Sequence, residues 1–383
     1  MSEATIPHRS PDALRGWGAR FRKWKADQIA SPAFQRWAAR FWLTRPLVRR
    51  SSARLYDLVS GFVYSQVLQA CVELDLLNIL RAGPQSADAI ALRLGLDPRR
   101  AMQLCQAATA IGLLERRGET FELGELGAAA LGVPGLSEMI RHHRVFYRDL
   151  EDPVALLRGD TDPELSRFWP YVLGDAEGDT PLETAADYSR LMATSQALVA
   201  EETLEAMDLS GIRHLADIGG GTGTFLSHVA RRYPQMKLTL MDLPAVIDSA
   251  RGRLADLGLE SRIRCHPGSF LEAPLPKDVD AISLIRVCYD HDDATVRRLL
   301  GRIRDVLPAR GRILISEPMS GGEKPERAGD AYFNFYTMAM TTGQPRSIAQ
   351  HQALLEEAGF REVCEHRTDR PFLTRTISAV RED

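Results

Sequence analysis

The run Leu215–Phe225 reads Leu-Ala-Asp-Ile-Gly-Gly-Gly-Thr-Gly-Thr-Phe, an apolar strand emptying into a glycine-dense turn, and an acid follows at Asp242 within Leu-Thr-Leu-Met-Asp-Leu-Pro. This pairing constrains the fold more than any other feature. Glycines at 219, 221 and 223 let the backbone take positive φ values and lie against a ligand, where a Cβ would obstruct both. An acid at the end of the next strand is placed to accept both ribose hydroxyls of a nucleoside. The dinucleotide fingerprint Gly-x-Gly-x-x-Gly is not met, because the sixth position is Thr224 counted from Gly219 and Leu226 counted from Gly221.

What stands here, Asp217-x-Gly219-x-Gly221-x-Gly223, resembles the first motif of S-adenosylmethionine-dependent methyltransferases. That cofactor has no pyrophosphate to seat on a helix N-terminus. From Ile212 onwards, apolar strands at 213–218, 237–241, 261–266, 279–286 and 311–317 alternate with helices starting near Thr224, Pro244, Asp293 and Ser347. Such alternation specifies an α/β domain with a mostly parallel sheet covered on both faces. Ligands sit beyond the carboxyl ends of its strands, where the glycine turn and Asp242 fall.

With 383 residues, 44% of them hydrophobic and 26% charged, the chain has enough material for two domains. Its five cysteines are odd in number and contain no Cys-x-x-Cys pair, which points to a reducing cytoplasm and to neither a disulfide framework nor a metal site. No signal peptide opens the sequence, and no apolar run reaches the ~18 residues of a membrane span. Charge is uneven: residues 1–54 hold twelve Lys and Arg against three acids, a surplus of +9 in a chain whose net charge is −3. Trp17, Trp24, Trp37 and Trp42 share that segment. Cations with indoles at helical spacing suit peripheral contact with an anionic membrane surface, and equally an arm packed on the body of the protein or on a partner subunit.

Apolar spacing over Leu58–Leu80 predicts one largely buried helix. Then Ser86 opens a short helix that Gly95 ends, Pro98 opens a second to about Ile111, and Gly112–Leu123 forms two short strands around Gly118. Together they describe a winged helix. Its five basic and five acidic residues between Ser86 and Gly124 cancel, so it lacks the surplus a phosphate backbone demands. Nucleic acid is therefore excluded in favour of dimerisation. Residues 134–209 read as a helical connector. The expected layout is an arm at 1–54, a winged-helix dimerisation domain at 55–133, the connector, and a cofactor domain at 210–383.

Gly-Phe-Val-Tyr-Ser-Gln at 61–66, Ala-Asp-Ile-Gly-Gly-Gly-Thr-Gly at 216–223, Met-Asp-Leu-Pro at 241–244 and Ile-Ser-Glu-Pro at 315–318 are similar to patterns of the plant-type S-adenosylmethionine-dependent O-methyltransferases. The resemblance runs from about residue 55 to residue 380 and implies a homodimer with a Rossmann-like catalytic domain behind an N-terminal helical, winged-helix domain. It puts Asp217, Gly219 and Gly221 near the cofactor's amino-acid portion, Asp242 on its ribose, and Leu243 and Phe270 beside its adenine. Ser269 stands where the family carries an acid, and Arg286 near the family's basic residue before the catalytic segment.

Where the family carries His-Asp-Trp, with the histidine as base, this chain has Tyr289-Asp290-His291. The implied proton-handling residue is thus Tyr289, with His291 two positions on. Histidine with a reference pKa near ~6.5 suits a base at neutral pH better than tyrosine near ~10. Glu317 matches a glutamate that orients the base, whereas the second such glutamate falls at about Ile348 and is absent. The lost histidine, the arm and the 61–66 phrase resemble methyltransferases of photosynthetic-bacterial pigment pathways. This implies an apolar pigment substrate, an acyclic carotenoid with a tertiary hydroxyl, held near Trp169, Met192, Phe335 and Met338. A phenolic or polyketide acceptor, a bacteriochlorophyll precursor and a non-catalytic cofactor-binding dimer stand as alternatives.

Overall fold

The computed structural model describes residues 17–168 and 196–383. The basic arm forms α1 (Trp17–Ala30) and α2 (Pro32–Arg40), the latter opened by Pro32 behind Ser31, whose side chain accepts the Phe34 N–H. α3 (Arg45–Glu73) follows and runs through residue 54, so the arm and the next domain share one helix. Asp75, at φ 57°, turns the chain left-handedly into α4 (Leu76–Arg81).

This corrects the single buried helix expected over 58–80. Only the end of α3 and α4 bury their apolar side chains, among them Cys71, Val72, Leu76, Leu77 and Leu80. Leu58 and Phe62 are 78% and 69% exposed. Helical periodicity records that Leu55, Leu58 and Phe62 share a face; it does not supply an element to cover that face.

The winged helix forms as its caps dictate. β1 (Gln85–Ser86) leads into α5 (Ala87–Leu94), with the Ser86 hydroxyl accepting the Ala89 N–H and Gly95 closing the helix at φ 64°. α6 (Pro98–Ala110) starts on the Asp97 carboxylate. β2 (Leu114–Arg117) and β3 (Thr120–Leu123) pair around Gly118, and Phe121 plugs a core of Ile90, Ala101, Cys105 and Leu114. α7 (Glu125–Gly132), α8 (Leu136–Asp149) and α9 (Pro153–Arg158) carry the chain away.

After α10, described over 196–206, come β4 (His214–Ile218), α11 (Thr224–Arg232), β5 (Lys237–Asp242), α12 (Pro244–Asp256), β6 (Ile263–Pro267), β7 (Ala281–Ile285), α13 (Asp293–Val306) and β8 (Arg312–Glu317). These five strands are parallel, and their order with the last two is β6-β5-β4-β7-β8-β10-β9. All five side chains of β7 are buried, as a parallel strand covered on both faces requires. Between β8 and β9 lie a π-helical stretch Arg327–Phe333, α14 (Asn334–Ala339) and α15 (Ile348–Glu357). β9 (Phe360–His366) and β10 (Arg375–Arg381) complete the sheet, with β10 antiparallel to both neighbours.

Candidate active site

The chain builds outwards from β4 through β5 to β6, then returns to place β7 on the other side of β4. A crevice opens where strand order reverses, at the carboxyl ends. Four strand ends converge there: β4 delivers Gly219, β5 Asp242, β7 the segment Arg286–His291 and β8 Glu317.

The glycine turn is held by the Gly219 N–H donating to Met241 O at 2.8 Å, with Gly219, Gly221 and Gly223 at φ 67°, 58° and 78°. A Cβ on Gly220 would collide with Asp217 Oδ2 and Leu240. Asp242 Oδ2 accepts the Gly221 N–H at 2.7 Å and Oδ1 the Leu243 N–H at 2.8 Å. Burial raises its pKa, while these two bonds lower it. Each oxygen keeps acceptor capacity, since a carboxylate offers about four lone-pair sites. Leu243 is half-buried at the N-cap of α12. Ser269 spends its hydroxyl on the Leu271 N–H at 3.2 Å, which fixes the local turn. The half-buried Phe270 ring lies near Gly219 and meets His291 edge-on at 5.4 Å. An acid for hydroxyls, a ring for a base and bare backbone between them suit a nucleoside.

Asp217 is wholly buried opposite Ser283 in the β4–β7 register, and its Oδ1 accepts the Ser283 hydroxyl at 2.6 Å. Its Oδ2 finds no partner among the described residues. Burial first, then the Asp242 charge, pushes its pKa up to about 7 against the Ser283 bond. A raised folded-state pKa gives stability that is complete below the ordinary 3.8 and lost as pH rises through about 7. Asp217→Asn is therefore expected to gain on the wild type between pH 5 and 8 in urea unfolding. A stability difference constant over that range would contradict the assignment.

The segment after β7 is a short 3₁₀ turn, Cys288–Asp290, entered through Arg286 at φ 58°. Arg286 Nη2 donates to Tyr289 Oη at 3.1 Å, and the neighbouring Asp290 side chain is buried. Burial raises the Tyr289 pKa, with Arg286 opposing. The tyrosine is accordingly protonated at neutral pH. Its backbone N–H donates to Glu317 Oε2 at 3.1 Å, and Glu317 Oε1 lies 3.1 Å from His351 Nε2 without the alignment of a hydrogen bond. His291 turns its ring to Phe270, and burial lowers its pKa.

Tyr289 and Glu317 are thus brought together, whereas His291 stands on the Phe270 side of the turn. Phe335 and Met338 are half-buried against a cluster of Phe146, Leu156, Leu165, Tyr336 and Met340. Trp169 and Met192 lie outside the described residues. Sequence reading missed Arg346, whose guanidinium clamps the turn from the other side, and the histidine doublet His142-His143, which meets Tyr336 and Tyr332. The doublet on an amphipathic helix was the available signal.

Residues 147–361 match the O-methyltransferase domain and residues 56–131 the O-methyltransferase dimerisation domain. The chain belongs to this O-methyltransferase family and carries its dimer-forming module. It is 51% identical over 382 residues to demethylspheroidene O-methyltransferase of Cereibacter sphaeroides, covering 100% of this chain and 99% of that protein. It is 48% identical to the enzyme of the same name from Rhodobacter capsulatus, over 88% of this chain and 84% of the other. The crystal structure of human N-acetylserotonin methyltransferase in complex with S-adenosylmethionine superposes with a TM-score of 0.71 at 25% identity, covering 87% of this chain and 98% of that one.

Proposed function

We propose that this chain transfers a methyl group from S-adenosyl-L-methionine to the tertiary hydroxyl of an acyclic carotenoid of the spheroidene type. The end-to-end identity of 51% with demethylspheroidene O-methyltransferase carries this reading. The bound cofactor supplies an electrophilic methyl on a sulfonium. Asp242 holds its ribose, Gly219 and Gly221 admit it closely, and Leu243 and Phe270 flank its adenine. Arg286 and Tyr289 then orient the acceptor oxygen, while Glu317 fixes the turn that carries Tyr289. Holding oxygen, carbon and sulfur in line contributes up to about 7–11 kcal/mol in favourable cases, so a strong base is not required.

The apolar stretch from Tyr332 to Met340, with Phe335 and Met338, forms one wall of the acceptor site. The layout is that of an arm at 1–54, a dimerisation module at 55–133, a connector at 134–209 and the catalytic domain at 210–383. The stripe Leu55–Phe62 lies at the start of the dimerisation match and is assigned to the second copy. Arm residues Phe21, Trp24, Trp37 and Trp42 are exposed among arginines and lysines, which fits peripheral contact with an anionic bilayer where the substrate resides. Among the described residues no helix is long and apolar enough to cross it.

Incubation with methyl-labelled S-adenosylmethionine and pigment extracts should label a carotenoid carrying a tertiary hydroxyl. Label in a phenolic compound or a bacteriochlorophyll precursor would replace this acceptor. Co-sedimentation with anionic vesicles should weaken at least tenfold on removing residues 1–54, and equal sedimentation sinks the membrane contact.

A further inference from the structure

Tyr289 is poorly placed to take a proton, because its hydroxyl already accepts from Arg286 at 3.1 Å and burial keeps it protonated. His291 faces Phe270 instead. On the connector side of this turn the fold brings in two histidine–tyrosine pairs from distant segments. His142 Nε2 lies 3.0 Å from Tyr336 Oη, and His143 Nε2 lies 2.7 Å from Tyr332 Oη. Phe146 meets both tyrosine rings edge-on, at 5.4 Å and 6.1 Å, and locks them. Tyr332 packs on Phe333, which in turn packs on Tyr289 at 6.3 Å.

The two pairs are not equivalent. Tyr336 is buried and stacks on Tyr332 at 6.0 Å, whereas Tyr332 is only half-buried. The His142 pair is therefore the enclosed end of the aromatic chain that starts at Tyr289 and runs through Phe333 and Tyr332. A buried imidazole so bonded has one fixed nitrogen toward the tyrosine, which is the arrangement a proton relay needs.

We propose that the proton of the acceptor hydroxyl leaves through Tyr336 Oη to His142 Nε2, while Arg286 and Tyr289 hold the acceptor oxygen. The proposal rests on the methyltransferase reading and adds the proton's destination to it. As the acceptor oxygen bonds to the methyl carbon, the electron pair of the carbon–sulfur bond returns to sulfur. The oxygen's proton passes to Tyr336 Oη, whose own proton passes to His142 Nε2. The products are a neutral ether, a neutral tyrosine and an imidazolium. One positive charge disappears from sulfur as another appears on the imidazole, so the buried site keeps its net charge. Burial and the neighbouring His143 drive the His142 pKa down to about 4, which keeps the ring neutral and able to accept beforehand, and ready to release the proton afterwards. Tyr336 is in this scheme a catalytic residue, and His142 acts through it.

The test uses the full chain and the acceptor identified by labelling. His142→Gln and Tyr336→Phe are expected to lower the single-turnover rate roughly 10²-fold, with cofactor affinity within twofold of wild type. The double variant should lose no more than either single one. His142→Ala should regain rate with added imidazole. A wild-type rate in either single variant, multiplied losses in the double variant, or no imidazole rescue overturns the relay. Nitrogen NMR of labelled histidine reads it without any acceptor: His142 Nε2 should be unprotonated at pH 7, and a protonated Nε2 overturns it. If the wild type labels no acceptor, the functional reading falls and the relay with it, whereas a labelled acceptor with a protonated His142 Nε2 overturns the relay alone.

Discussion

Asp242→Ala is expected to weaken S-adenosylmethionine binding by about 10²- to 10³-fold while the sheet stays folded. The carboxylate closes β5 and already accepts the N–H groups of Gly221 and Leu243, which sets its oxygens in the crevice. Two hydroxyls bound to a charged acceptor contribute about 1.5–3 kcal/mol each, and losing about 3–4 kcal/mol in all corresponds to the stated factor at about 1.4 kcal/mol per decade. Removing the side chain also frees two backbone donors, so the turn loosens and adds to the loss. Asp242→Asn keeps the shape and one acceptor oxygen and should fall between the two. Calorimetric titration with S-adenosylmethionine, alongside urea unfolding of each variant, measures both quantities. An affinity within threefold of wild type in a folded Asp242→Ala protein would remove Asp242 from the cofactor site.

That the turn and Asp242 could be read in advance follows from their locality. Gly219–Gly223 and Asp242 end successive strands, and period, turn chemistry and spacing are all short-range signals. The helix starts at Ser86, Pro98, Asp293 and Ser347 were legible for the same reason. β9 and β10 were not: β9 reads Phe-Arg-Glu-Val-Cys-Glu-His and lies at the sheet's edge, largely exposed, so it carries little apolar signal. The stripe on α3 was overread, because spacing identifies a shared face and leaves open what covers it. His142, His143 and Arg346 were invisible in their roles, since the partners that define them lie 53 to 194 residues away and only packing brings them together. Tyr289 shows the intermediate case. Its place after β7 was legible, and the hydrogen bond its hydroxyl accepts from Arg286, which bears on any role as a base, was not.

Arg346 carries the largest expected effect on stability. It is 1% exposed, and its one guanidinium serves four acceptors: Nη1 donates to Cys288 O at 2.7 Å and to Gln344 O at 3.5 Å, Nη2 to His291 O at 2.8 Å, and Nε to Asp293 Oδ1 at 2.8 Å. These ties span both ends of the turn that carries Tyr289. Gly343, at φ 76°, lets the same loop pass so close to Tyr289 O that a Cβ would overlap it. Arg346→Ala leaves two carbonyls of the turn without their charged donor, at about 1–3 kcal/mol each, and removes the partner of Asp293, so a total loss of about 3–5 kcal/mol is expected. Lysine restores the charge but not the planar fork, and Arg346→Lys should recover less than half of it. Although burial raises the Asp293 pKa, Arg346 outweighs this and holds it below the ordinary 3.8. That part of the contribution is present above about pH 4 and is lost as pH falls, so the gap between wild type and Arg346→Ala should narrow in acid. Turnover should fall with stability while cofactor affinity stays near wild type, because Asp242 and the glycine turn belong to β4 and β5. Urea unfolding at pH 7 and at about pH 2.5 gives both numbers, and a loss below about 1 kcal/mol at pH 7 would show that the turn is held by other contacts.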